Sequence, residues 1–176
     1  MKIVLALIVF AASAFAQNMA AQGGSQGACG PPNVHFDVKT VSGQPIAQAE
    51  PPKALVFVSE VFKKVPGELG NPTIRIGLDG NWVGAVRGNS YFSFSVQPGE
   101  HHLCTNWQSR FKQLSREAAF TSFNAATGNA YYFRARITYQ TVRTATTMVL
   151  DLEPVNDDEG KYLVASNPLS IAQARK

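Results

Sequence analysis

Residue types that usually carry chemistry are scarce in this chain. It has two cysteines and three histidines in 176 residues, and charged side chains make up only 16% of it, so few positions can serve as nucleophile, base or metal ligand. No Gly-x-Ser-x-Gly elbow, His-Glu-x-x-His pair or phosphate-cradling glycine loop occurs. An enzyme needs a nucleophile and base, a metal set or a paired acid system. His101 and His102 offer the best base, but adjacent strand residues point to opposite faces and cannot both serve one site. A Cys/His metal site built from Cys29 or Cys104 with His35, His101 or His102 lacks close ligand spacing. Asp79 and Glu100 fall in turns, where hydrogen bonding to the backbone accounts for them. The expectation is a protein without catalytic residues, cofactor or metal.

Charge of one sign is not concentrated either. Sixteen basic residues stand against twelve acidic ones, scattered, with no basic run longer than two. That excludes the patch or stripe by which nucleic-acid binders are recognised. Long apolar runs are also missing. The one candidate, Ile3 to Phe10 behind Lys2, is too short to span a bilayer comfortably and leads to Ala14-Phe15-Ala16. This pattern predicts a signal peptide over 1–16, cleaved to leave Gln17, with no transmembrane span afterwards. A lipoprotein signal is not matched, because Gln26-Gly27-Ala28 before Cys29 lacks the usual Leu. Export to the periplasm or beyond makes a Cys29–Cys104 disulfide the simplest fate of the cysteine pair. Closing a loop of about 75 residues contributes roughly 4–5 kcal/mol in the chain-entropy view.

What the chain does have is period-2 alternation. From Thr73 to Cys104 four short strands follow one another, broken by Asp79-Gly80, Gly88-Asn89 and Pro98-Gly99. Ile74, Ile76 and Leu78 alternate with polar or small residues, as do Phe92, Phe94 and Val96, and the whole stretch reads as an antiparallel meander. Residues 17–32 read as a flexible segment bent at Cys29-Gly30-Pro31-Pro32. A first strand then carries Val34, Phe36 and Val38, with His35 on its polar face. Residues 42–53, with three prolines, read as a loop. Ala54 to Glu60 is apolar on both faces, Leu55 and Phe57 one way, Val56 and Val58 the other, which marks a central strand covered on both sides.

A turn-rich connection over 62–72 leads into the meander. Beyond Cys104, Trp107 and Phe111 read as exposed aromatics in a polar segment. Strands follow over 117–123, 130–139 and 146–152. Arg134 and Arg136 share one strand face and can either hold an anion together or stand as two solvated charges. Asn156 with Glu159 forms a capping-box pattern that starts a helix over 156–166, with Tyr162, Leu163 and Ala165 facing the sheets; Asn167-Pro168 ends it. Residues 168–176 read as a loose tail.

The order Leu55-Val56-Phe57-Val58, Leu78-Asp79-Gly80, Tyr91-Phe92, Val96-x-Pro98-Gly99-Glu100-His101 and Gly128-x-x-Tyr131-Tyr132, followed by an acidic helix, resembles the DUF2846 family of bacterial envelope proteins. The resemblance spans 54–167 and implies a transthyretin- or immunoglobulin-like β-sandwich, exported, with no assigned reaction. Many members look like lipoproteins, a pattern from which this chain departs. The sequence thus predicts an all-β antiparallel sandwich of seven to nine strands over 33–167 with one C-terminal helix. Its expected role is non-catalytic, binding an envelope protein or polysaccharide through loops or a sheet edge. The sharpest alternative is carbohydrate stacking on Trp82, Tyr91 and Trp107. Catalysis or metal binding around His101 and His102 is the lesser one.

Overall fold

A computed structural model describes residues 29–63, 70–142 and 145–175. The predicted signal peptide and the segment 17–28 lie outside the described residues. Among the described residues ten strands and one α-helix follow in order: β1 (His35–Val41), β2 (Ala54–Phe62), β3 (Thr73–Leu78), β4 (Asn81–Arg87), β5 (Tyr91–Val96), β6 (Gly99–Trp107), β7 (Ala118–Ala125), β8 (Ala130–Val142), β9 (Ala145–Val155), α1 (Asp157–Ser166) and β10 (Leu169–Arg175). They form a six-stranded sheet, β1-β10-β5-β2-β8-β9, packed on a four-stranded sheet, β4-β3-β6-β7.

The all-β sandwich with a short C-terminal helix is therefore what the chain builds. β2 lies inside the larger sheet, as its two apolar faces require. Val56, Val58 and Phe62 join Ile74, Ile76, Leu103 and Phe133 in the core between the sheets. On the other face Leu55 and Phe57 pack with Tyr91 and Val164 beneath α1, and the Phe57 ring stacks on Tyr132 at 5.0 Å. Each such side chain removed from water contributes about 1.5–3 kcal/mol.

Four expectations are corrected. The strand count is ten, and β2 runs parallel to β8, as β10 does to β5, so the larger sheet is mixed. The meander is divided between layers: β3, β4 and β6 stay in the smaller sheet, whereas β5 crosses to pair with β2. The turn between β4 and β5 explains the crossing, because its polar groups bond to β2. Gly88 N–H donates to Glu60 Oε2 at 2.7 Å, Phe62 N–H to Asn89 Oδ1 at 2.7 Å, and Glu60 N–H to the Ser90 carbonyl at 2.8 Å. The Asp79-Gly80 turn behaves as expected, with both central residues at positive φ (51° and 78°) in a hairpin joining β3 to β4.

The third correction is the tail, which is strand β10. It pairs with β1 along seven residues, an Arg175–Asp37 ion pair closes one end at 2.5 Å, and Ser170 Oγ lies 2.6 Å from Ser90 Oγ. Ser170 is buried and Ile171 exposed, so the usual apolar alternation is inverted and leaves no signal in the sequence. The fourth concerns α1. Asn156 caps it, accepting from Glu159 N–H at 2.9 Å, but Gly160 and Val164 face the sheet, and Tyr162 and Ala165 face solvent. The helix rests on the Tyr132 ring so closely that only a glycine fits at 160.

Candidate functional site

The smaller sheet and the larger one part at the end where β2 and β6 finish and β3 begins. Trp107 closes β6, and the chain leaves it in a fixed direction. Gln108 N–H donates to the Thr73 carbonyl at 2.8 Å. The Gln108 side chain imitates a strand, accepting from Phe36 N–H at 2.7 Å and donating to the Phe36 carbonyl at 2.9 Å. Nine residues on, the loop is held again by Asn106. Its side-chain amide donates to the Ser115 and Glu117 carbonyls at 2.9 and 3.0 Å, while its oxygen accepts from the Arg75 guanidinium. Ser115 N–H donates to the Phe111 carbonyl at 3.0 Å, and Ser109 Oγ accepts from Phe111 N–H at 3.1 Å. The loop 108–117 is thus pinned at both ends and folded on itself.

Between this loop and the core lies a cavity of about 570 Å³. Phe62, Pro72, Trp107, Phe111, Leu114 and Met148 form its apolar wall; Asn71, Thr73, Gln108, Ser109 and Arg110 supply the polar groups. The volume falls within the roughly 300–1,000 Å³ of small-molecule sites, and the mostly apolar lining matches them too. Trp107 is 8% exposed and forms the floor, while Phe111, 58% exposed, stands at the rim.

The residues singled out from sequence do not converge here. Cys29 and Cys104 are bonded, with Cα atoms 5.7 Å apart. Trp82 packs on the outer face of the smaller sheet: its indole N–H donates to the Pro31 carbonyl at 2.8 Å and the Arg75 guanidinium lies 4.4 Å from its ring centroid. Tyr91, 3% exposed, is buried beneath α1. Trp82, Tyr91 and Trp107 therefore occupy three separate places, and the expected exposed stacking face is corrected: Tyr91 and Trp107 are buried and Trp82 is half-buried on a different face, so no shared platform for a sugar is formed. Of the three, Trp107 lines this cavity, and Tyr91 borders a separate one of about 140 Å³.

Arg134 and Arg136 do share a face, but it is already neutralised. Arg134 pairs with Glu153 at 2.7 Å and with Glu159, and Arg136 with Glu153 at 3.3 Å. The anion-holding reading is corrected by these carboxylates. His35 and His102 are exposed. His101 touches Asp79 Oδ2 through Nδ1 and the Gln97 carbonyl through Nε2, each at 2.7 Å. Both partners can only accept, so the ring donates from both nitrogens as an imidazolium. Burial alone would lower its pKa, yet the hydrogen bonds to Asp79 and Gln97 outweigh it and raise the value above 6.5. A ring occupied at both nitrogens has no lone pair to act as a base or to bind metal. No group of three potential metal ligands occurs among the described residues.

Sequence reasoning missed three buried polar residues. Arg75 is sunk in the smaller sheet beneath Trp82 and donates to Asn106 and, at 2.8 Å, to the Val34 carbonyl; burial lowers its pKa. Asn106 organises the cavity loop. Glu60 is fully buried, and burial raises its carboxyl to about 8 against the smaller opposing pull of Gly88 N–H and Arg87. A signal for Glu60 was present, since it follows Val56 and Val58 on the core-facing side of β2. Nothing local marks the cavity, which depends on how far two sheets separate.

Comparison with protein-family models, curated proteins and solved structures gave no match. The likeness to the DUF2846 family rests on the sequence motifs alone.

Proposed function

We propose that this protein is an exported, non-catalytic β-sandwich module of the bacterial cell envelope that binds through the loop-framed end of the sandwich. The cavity carries this reading: an apolar hollow floored by Trp107 and fronted by the exposed Phe111, framed by a loop that Asn106 and Ser109 hold in place by hydrogen bonds. Preorganisation of this kind lowers the cost of ordering a site on binding. The Cys29–Cys104 bond supports an oxidising compartment, where such bonds persist. No helix among the described residues is long and apolar enough to cross a membrane.

Two measurements test the proposal. Osmotic-shock fractionation with thiol alkylation is expected to find the protein outside the cytoplasm with both cysteines oxidised; a reduced cytoplasmic pool would refute export. Retention on envelope fractions is then compared for Phe111→Ser and Phe120→Ser. Phe120 is an equally exposed aromatic on β7, away from the cavity. Loss of retention in the first variant alone is expected, and equal loss in both or in neither counts against binding at this end.

A further inference from the structure

The cavity lining has one charged member, Arg110, and it stands exposed at the mouth. It makes no ion pair among the described residues. The loop around it is basic on balance: residues 108–117 hold Arg110, Lys112 and Arg116 against one acid, Glu117. Two other arginines are answered by carboxylates, Arg136 by Glu153 and Arg175 by Asp37. A hollow of Phe62, Trp107, Leu114 and Met148 beneath an unanswered guanidinium is amphipathic, apolar within and cationic at the entrance.

Resting on the binding role proposed above, we propose that this cavity takes a monomeric anionic amphiphile, a carboxylate with a hydrocarbon or aromatic body. The body would lie against Trp107 and Met148, and the carboxylate would meet Arg110, whose planar fork matches carboxylate geometry. Two independent dependences follow. Each methylene moved from water into the hollow strengthens binding about fourfold. The exposed ion pair at the rim contributes about two- to fivefold. Chain length therefore governs affinity, and the head charge selects among amphiphiles of equal length.

Met148 provides a local reporter, because the sequence holds only two other methionines, Met1 and Met19. The disulfide-bonded protein labelled with ¹³C-methyl methionine is titrated, below micelle formation, with octanoate, decanoate, decyl maltoside and decyltrimethylammonium. Decanoate is expected to shift the Met148 methyl saturably and to bind roughly fifteenfold more tightly than octanoate, two methylenes shorter. Arg110→Gln should weaken both acids about two- to fivefold, Arg110→Lys should restore part of the loss, and the cationic amphiphile should bind Arg110→Gln at least as well as the original protein. If all three decyl probes bind equally and Arg110→Gln changes nothing, the anionic class is wrong while the cavity survives as a binding site. If no probe moves Met148, the cavity is not a ligand site and the binding role proposed for this end fails with it.

Discussion

Replacing Glu60 by Gln should change how stability depends on pH more than it changes stability itself. The carboxyl is fully buried on the core side of β2, and Oε2 accepts from Gly88 N–H while Oε1 has no hydrogen-bond partner among the described residues. Burial raises its pKa from the ordinary 4.5 to about 8, so the folded protein keeps a proton that the unfolded chain releases. Because the folded value is the higher one, the contribution is fully present below about 4.5, declines as pH rises, and is gone above about 8. At about 1.4 kcal/mol per pH unit, that interval costs the fold about 5 kcal/mol.

Glu60→Gln keeps an oxygen for Gly88 N–H but introduces amide donors with no acceptor at the Oε1 position. That costs about 1–3 kcal/mol at every pH. Urea denaturation between about pH 5 and pH 9 should therefore give crossing curves: the original protein more stable in acid, the variant more stable in alkali by a few kcal/mol. Subtracting the two curves cancels His101, which titrates in both. Parallel curves over the whole range would show that Glu60 is not held neutral in the fold.

Other outcomes are equally open to measurement. Cys29→Ala with Cys104→Ala should lower stability by up to about 4.5 kcal/mol, the chain-entropy value for a separation of 75 residues, and reductant should then have no further effect in denaturation experiments. Gly160→Ala brings a Cβ to 2.2 Å from Tyr132 Cγ, so overpacking of about 1–3 kcal/mol should exceed the gain of about 1 kcal/mol in helix propensity. A raised melting temperature would show that α1 does not rest on that ring. His101 should titrate above 6.5 by NMR, and His101→Gln should remove a contribution that is present below 6.5 and lost as pH rises through the raised value. Because Asp79 is well exposed, the effect should stay under about 1 kcal/mol. A His101 value at or below 6.5 would contradict double donation by the ring.

Much of the fold was legible because its signals are local. The double-sided apolar run Leu55–Val58 announces a central covered strand, and the structure places β2 there. Asp79-Gly80 and the Asn156 cap are short-range chemistry, satisfied within a few residues of chain. β10 escaped notice because its buried residue is a serine bonded to another serine eighty positions away. Trp107 and Tyr91 were misplaced for a related reason: an aromatic beside polar neighbours reads as exposed until the layer that covers it is known.

The positions of the strands other than β10, the turn types, the helix start and the pairing of two cysteines were thus determined by the sequence by itself, since each depends on neighbours along the chain or on residue count. Tertiary structure decided which strand pairs with which, that β5 leaves its sheet for the other, that Glu60 and Arg75 are buried, and that an apolar hollow opens beside Arg110. The reason is physical: burial, pKa and cavity shape arise from groups that are remote in sequence and meet only when two sheets pack.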